Sequence, residues 1–457
     1  MCPVAQRLSP KLTLNLGLRY DYFSNLTANK DRERGPHVYN PNGLSFPDFS
    51  VGAFRPANNP YDKDAFNMGP RFGFAYNPDG KGKTVIRGGF ATLFTYLNGE
   101  IVKNAVQNSP KEPFRVQLTR LEGQRLNVRY PAYNEDVLAL VAQGTAAPAF
   151  QVIDPKIRSP YSMNFSFTME RALTNTLALE TAVVGTRGVK FVNLRRYNLP
   201  DRVTGIRPNP AIGAERFHDN SESTRYYAWQ TSLRKRMSRG LLVNLHYTWG
   251  KALAYNRGDL GFGNLYIQDF FNLKDNLGRA EGDINHRLVS DFIYELPKPA
   301  AGFMRHVAGG WQVAGILTVQ TGLPLALSQP NALDGQRPDL VDPSSPVNAG
   351  YRTNLAYLNR PAFAPVPVSR VSGATLRPGT VGNGAIEGPG FWNLDLSLGR
   401  SHVIREKYRL QFRAEMLNSL NHTNFTGVDT NIESARFGVL TGTAGARIAQ
   451  LNLRMSF

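Results

Sequence analysis

The chain has 457 residues, enough for two or three soluble domains or for one large barrel, and its 42% hydrophobic and 11% aromatic content with 42 Gly and 30 Pro favours strands and turns. The single cysteine, Cys2, excludes a disulfide framework and a cysteine-built zinc site. The net charge of +18 is scattered, and its densest cluster, LRKRMSRG at 233–240, falls at an expected turn without the interleaved aromatics of a single-strand nucleic-acid binder.

From the N-terminus, the first clear element is KLTLNLGLRYDY. It places Leu12, Leu14, Leu16, Leu18, Tyr20 and Tyr22 on one face and Lys11, Thr13, Asn15, Arg19 and Asp21 on the other. The same period of two recurs in YSMNFSFTME, LLVNLHYTW, FWNLDLSLGR and KYRLQFRAEM, and ends the chain in ARIAQLNLRMSF. Together these segments predict about twelve strands. Their spans are 11–23, 68–77, 84–95, 160–171, 175–187, 225–237, 241–254, 284–296, 311–322, 391–402, 407–418 and 447–457.

Strands of soluble proteins usually run about 5–6 residues, whereas a tilted strand crossing a bilayer needs about 9–11. The polar face carries Asn, Arg, Asp, Gln and Glu, which a packed sandwich core rejects and a wide watery lumen accepts. Connections alternate as well. Short links are expected at 78–83, 172–174, 238–240, 297–310 and 403–406, and long ones at 24–67, 96–159, 188–224, 255–283, 323–390 and 419–446. That alternation matches the periplasmic turns and extracellular loops of an outer-membrane barrel. No run of 18 apolar residues offers a helical span, and Met1 is not followed by a signal-peptide pattern, so the expectation is either a cytoplasmic protein or one whose front is missing.

Tyr20, Tyr22, Tyr161, Trp249, Trp392 and Tyr408 fall toward strand ends, where a membrane girdle of aromatics belongs. Lys235 interrupts an apolar face but stands near a short turn, within snorkelling distance of water. Chemistry is sparse. Asp283, His286 and Arg287 in GDINHR lack a suitably spaced serine or second histidine and read as a lumen-facing salt bridge or loop anchor. GKGKT at 80–84 lacks phosphate-loop spacing and joins two strands. No catalytic, cofactor or metal residues are expected.

Several segments, in their order and spacing, resemble the TonB-dependent receptors of bacterial outer membranes, in particular the large-looped branch that often carries a carboxypeptidase-regulatory-like N-terminal domain. They are LTLNLGLRYDYF (12–23), GPRFGFAYNPDGKGKTVIRGGF (69–90), SLRKRMSRGLLVNLHYTWGKAL (232–253), DINHRLVSDFIYELP (283–297), GGWQVAGILTVQTGLPL (309–325), RPDLV (337–341), GPGFWNLDLSLGR (388–400) and LQFRAEMLNSLNHTNF (410–425). The resemblance implies an all-β, antiparallel transmembrane barrel portion in the outer membrane, spanning 1–457, without the plug domain and N-terminal strands of a full receptor. It implies energised uptake of a scarce ligand in the full-length protein. It also implies that Phe457 is the terminal aromatic read by the barrel-assembly machinery, and that the long loops bind ligand. Phe262, Tyr266, Phe270 and Phe271 are the aromatic candidates for that contact, and NGLSFPDF (42–49) and RYYAWQ (225–230) are further candidate stretches. The expected partners are outer-membrane lipid, the assembly machinery, the TonB system in the full-length protein only, and an unidentified small-molecule or oligomeric ligand, with no nucleic acid. Two other readings are a passive pore or adhesin made by a self-sufficient twelve-stranded barrel, and a soluble secreted β-protein.

Overall fold

Alternating side chains make a two-faced wall only if neighbouring strands pair in matching register, since a slip of one residue turns every side chain to the other face. A computed structural model shows that pairing. It describes residues 2–25, 37–40, 53–56, 61–99, 101, 151–208, 215–256, 267–269, 271–297, 309–330, 333, 335–404 and 408–457. Thirteen strands follow one another in chain order along one antiparallel path: β1 (Cys2–Ser9), β2 (Leu12–Asp21), β3 (Asn67–Tyr76), β4 (Thr84–Phe94), β5 (Tyr161–Ala172), β6 (Leu177–Tyr197), β7 (Glu215–Ser238), β8 (Leu241–Ala254), β9 (His286–Glu295), β10 (Trp311–Gln320), β11 (Phe391–Ile404), β12 (Tyr408–Leu417) and β13 (Ile448–Ser456). Twelve of them are the expected strands. The thirteenth, β1, pairs Val4 with Leu16 and Gln6 with Leu14. Its alternation is hidden by Gln6, which interrupts the apolar run.

Register carries the apolar face across the wall. Leu16 opposes Phe72, Phe72 opposes Phe90, Phe90 opposes Phe165, Trp229 opposes Trp249, Leu317 opposes Leu394, and Phe412 opposes Leu453. Where this face has a glycine, a neighbouring aromatic covers it. A Cβ on Gly88 would meet the Phe74 ring at 2.2 Å, one on Gly185 the Phe165 ring at 2.3 Å, and one on Gly315 the Phe292 ring at 2.6 Å. The opposite face carries Asn15, Arg71, Asn164, Ser166 and Thr186 among small residues such as Gly73, Gly89 and Ala91, and an open hollow of about 490 Å³ over them from β2 to β7 shows that it is concave. A convex apolar face and a concave polar one are the two surfaces of a membrane barrel wall. Crossing by strands satisfies every interior backbone donor and acceptor through the ladder, which an isolated irregular segment in lipid does not. Among the described residues, no helix is long and apolar enough to cross a membrane.

Turns on one end are tight. Arg239 and Gly240 both have positive φ, 51° and 77°, which fits the twist of a two-residue hairpin between β7 and β8. The other end carries the long links, and one of them differs from expectation. Residues 188–224 are not mainly a loop, because β6 and β7 continue past the wall and stay paired as far as Tyr197 opposite Glu215. Irregular pairing around Glu222 breaks the period of two in this stretch, and residues of both characters are buried there, so no alternating pattern marks the strands. Gln151–Ile153 adds a parallel third strand to this ribbon. Val152, Tyr197 and Phe217 form a small core beneath it, with the Tyr197 and Phe217 rings edge to face at 5.3 Å.

The links 321–390 and 418–447 fold together into a cap. Leu327, Tyr357, Leu358, Phe363, Ile432 and Phe437 belong to its buried core. At its root Gly322 passes so close to Gly388 that a Cβ on Gly322 would stand 1.8 Å from the Gly388 carbonyl oxygen. Only a residue without a side chain fits that crossing.

Candidate functional site

The concave face places charged side chains in pairs. On β4 to β7, Arg87 Nη1 lies 3.2 Å from Glu170 Oε2, and Arg234 Nη2 lies 2.6 Å from Glu180 Oε2. Further round, Asn244 Nδ2 donates to Asp291 Oδ2 at 2.9 Å, and Arg413 Nε lies 2.9 Å from Glu415 Oε1. Near the short-turn end of β9 to β13 this face opens into a cleft of about 930 Å³, lined in part by Glu295, Gln312, Ser397, Gln411, Arg413 and Arg454. Such a surface is wettable and of mixed charge, and it suits the passage of polar cargo rather than a packed interior.

Above it, the cap is held by arginines that the sequence reading did not single out, of which Arg337 is buried. Arg337 donates from Nε to the Val381 carbonyl at 2.8 Å and from Nη1 to Asn276 Oδ1 at 2.6 Å, so it ties the link 255–285 to the cap. Arg202 donates from Nη1 to Thr375 Oγ1 at 2.7 Å and from Nη2 to the Gln268 carbonyl at 3.1 Å, so it brings the ribbon tip into the same assembly. Arg377 grips Asp339 with both terminal nitrogens at 2.8 and 2.7 Å, and its side-chain hydrogen bonds hold the Asp339 carboxyl below its ordinary range. The segment RPDLV carries two of these residues, Arg337 and Asp339. Its proline and its charged residues in a long link were the available signal.

Asp283 is a loop anchor. It is buried, pairs with Arg279 Nε at 2.6 Å and accepts the Ala252 N–H at 2.6 Å, so it fastens the link 255–285 back onto β8. His286 differs from the lumen-facing expectation. Register puts it opposite Trp249 on the apolar face, where its ring stacks on Trp249 at 6.4 Å and its Nδ1 lies 2.8 Å from the Tyr247 hydroxyl. Asp283 lies in the turn before β9, where the parity of the strand does not extend.

Of the aromatic ligand-contact candidates, Phe262, Tyr266 and Phe270 lie outside the described residues, as does the stretch 42–49. Phe271 is 71% exposed and meets the edge of Tyr197 at 6.3 Å. Within the stretch 225–230, Tyr227 and Trp229 are exposed on the apolar face, so they face lipid in the wall and not a loop surface. Tyr20 and Trp249 are exposed at the long-link ends of β2 and β8, and Tyr22 follows just beyond β2. Tyr161 packs on Phe94 at 5.1 Å, Trp392 on the His422 ring at 4.2 Å, and Tyr408 begins β12 at the opposite end. Trp311 adds a further aromatic at the short-turn end, with Arg400 over its ring at 5.6 Å. Phe457 follows the end of β13 and is 93% exposed. Among the described residues no group of three His, Cys, Asp or Glu is placed to hold a metal ion.

A wall with an apolar convex face, a charged concave face, tight turns at one end and folded links at the other defines an antiparallel β-barrel wall of the outer-membrane type. Residues 6–450 match the outer membrane beta barrel domain family, and the chain belongs to that family and resides in the bacterial outer membrane. None of the curated proteins matches the sequence. Among solved structures, the outer membrane transporter YddB from Escherichia coli is 11% identical with a TM-score of 0.50, over 97% of this chain and 43% of that one. The siderophore receptor PiuA from Acinetobacter baumannii is 10% identical with a TM-score of 0.43, over 99% and 42%. The ferric-catecholate import receptor Fiu from Escherichia coli K12 is 11% identical with a TM-score of 0.44, over 99% and 43%. At these identities the likeness is one of fold, and the chain spans about two-fifths of the length of these structures.

Proposed function

We propose that this wall is the C-terminal part of the barrel of a TonB-dependent receptor of the branch with a carboxypeptidase-regulatory-like N-terminal domain, working in the energised uptake of a scarce polar ligand. The observation that carries the reading is the pairing of a wide, charged concave face with a hydrogen-bonded cap over its long-link end. A passive diffusion pore has no evident need for a cap with its own hydrophobic core, whereas a receptor needs a preorganised surface to recognise ligand before passage. The likeness in fold to a transporter supports the same class. In this scheme the residues described supply the wall and outer vestibule, Phe271 belongs to the ligand-facing surface, and Phe457 presents the terminal aromatic to the assembly machinery. Energy coupling belongs to a plug held in the complete receptor.

The test uses cells that produce the protein as natively encoded, beside a deletion strain, screened for uptake of labelled ferric chelates, glycans and peptides. Uptake of one class that is lost both on deletion and on collapse of inner-membrane energy by a protonophore is the expected result. Uptake that depends on the gene but persists after collapse would establish a passive pore and sink the receptor reading.

A further inference from the structure

The convex face carries three cations at the long-link end of β6, β7 and β8. Arg225 of β7 is directly opposite Arg187 of β6, while its partner on the other side is Leu253 of β8. Lys251 is two residues from Leu253, diagonal to Arg225 on the same face. Tyr227, Trp229 and Trp249 lie on that face immediately below them, toward the short turns.

Height along the wall fixes what these cations meet. Arg187 stands ten residues beyond Leu177 and Lys251 ten beyond Leu241, each counted from the short-turn end of its strand. At roughly 3.4 Å per residue and a tilt of about 40°, ten residues climb about 26 Å, the height of the apolar band of a membrane barrel. The three side chains therefore emerge where the acyl region gives way to headgroups. At the same end, the Lys190 ammonium lies 6.0 Å from the centre of the Tyr161 ring.

Their partners are what sets them apart. On the concave face Arg87 and Arg234 each meet a carboxylate, but none of Arg187, Arg225 and Lys251 enters an ion pair among the described residues. Arg187 and Lys251 are exposed and Arg225 is half-buried. Like charges directly opposite on paired strands repel, and a bridging anion turns that repulsion into attraction. Two guanidinium forks and an ammonium match the oxygens of a phosphate group, and an aromatic platform below suits the apolar part of the same molecule.

We infer that Arg187, Arg225 and Lys251 form a binding site for the phosphate of an anionic lipid in the outer leaflet, with Tyr227, Trp229 and Trp249 beneath its acyl region. The site lies on the lipid side of the wall, apart from the vestibule, and does not depend on what the receptor carries.

The experiment takes the protein extracted in non-ionic detergent from outer membranes of cells that produce it as natively encoded. Quenching of tryptophan fluorescence by brominated phosphatidic acid is compared with quenching by brominated phosphatidylcholine. Wild-type protein is expected to prefer the phosphatidic acid. Neutralising each cation weakens that preference about fivefold, and the triple variant R187Q/R225Q/K251Q weakens it on the order of a hundredfold. Arg171→Gln, an exposed cation on the same face at the short-turn end, leaves the preference unchanged, and the charge-keeping R187K/R225K retains most of it. Equal preference in the triple variant and wild type overturns the site. Displacement of the lipid by inorganic phosphate at equal concentration also overturns it, because the site would then serve a free anion. If the triple variant does not fold, Lys251→Gln alone must show the fivefold loss, and unchanged binding there is equally fatal.

Discussion

Glu222 sits where the β6–β7 ribbon leaves the wall. It is buried and accepts the backbone N–H groups of Tyr255 and Asn256, each at 3.0 Å, so one carboxyl fastens the ribbon to the start of the next link. Burial pushes this carboxyl up to about 7, against the smaller pull of those N–H groups, and nearby Asp219 adds to the rise. Asp219 is itself raised by burial, although Arg195 pairs with it. The folded value for Glu222 lies above that of the unfolded chain, near 4.5, so between those two values the native state holds more proton than the unfolded one. Stability contributed here is therefore greatest at the acid end, falls as pH rises through that window, and levels above about 7. Glu222→Gln should abolish this component, roughly 3 kcal/mol across the window, as read from protease resistance of the ribbon in a pH series. A variant whose resistance follows the wild-type pH curve would remove Glu222 as its origin. Lys235 shows the opposite treatment of a charge. Its stem lies on the apolar face while Nζ reaches back to the carbonyls of Ser238 and Leu241 at 3.1 and 2.9 Å, as its place beside a short turn foretold.

At the scale of elements, two of the cores that hold the long links each have a single-residue test. Leu358 is buried among Tyr357, Phe363 and Phe437 in the cap, and Leu358→Ala should weaken it by about 2–5 kcal/mol. The expected readout is new proteolytic cleavage within 321–390 while the wall strands stay protected; loss of wall protection at the same time would mean that cap and wall do not open separately. Phe217→Ala should cost the ribbon about 3–5 kcal/mol, because the ring packs edge to face on Tyr197 and fills the core with Val152. Faster cleavage within the ribbon, with the cap unaffected, is the expected result, and unchanged cleavage would show that the core is not what holds it. These elements also mark how far the sequence could be read. Strand β8 appears at Leu241–Ala254 as the alternation of LLVNLHYTW foretold, because one face meets lipid and the other water from Leu241 to Trp249. The upper halves of β6 and β7 meet neither alone. Asn193 and His218 are buried there beside Leu194 and Phe217, so the pattern of two vanishes while the pairing continues. The cap was invisible for a related reason. Its core joins residues from 327 to 440 through isolated turns and two-residue strands, and no periodicity records such contacts. Arg337 and Arg202 were likewise missed, since their partners lie tens of residues away.

For the whole molecule, the edges decide. Strand β1 pairs with β2 and β13 with β12, and among the described residues the two outer strands do not pair with each other. Each therefore presents one row of unpaired backbone groups beside an apolar face, and in lipid an unmet N–H or C=O costs several kcal/mol. Nine residues of β13 multiply that penalty along a strand whose Leu451 and Leu453 are 75% and 70% exposed. An edge of this kind is satisfied either by mutual closure or by further strands. Thirteen strands in strict up-and-down order place β1 and β13 in the same direction, so direct closure requires a parallel pair, whereas bacterial single-chain barrels close with an even number of antiparallel strands. Further strands are the solution that the receptor reading requires. The prediction is that this chain, produced alone behind a signal peptide, is degraded or aggregates, and that any fraction in the outer membrane migrates identically on SDS gels with and without boiling. Heat-modifiable migration of a monomeric membrane fraction, together with steady conductance in a planar bilayer, would mean that the wall closes on itself and that the self-sufficient pore is the correct account.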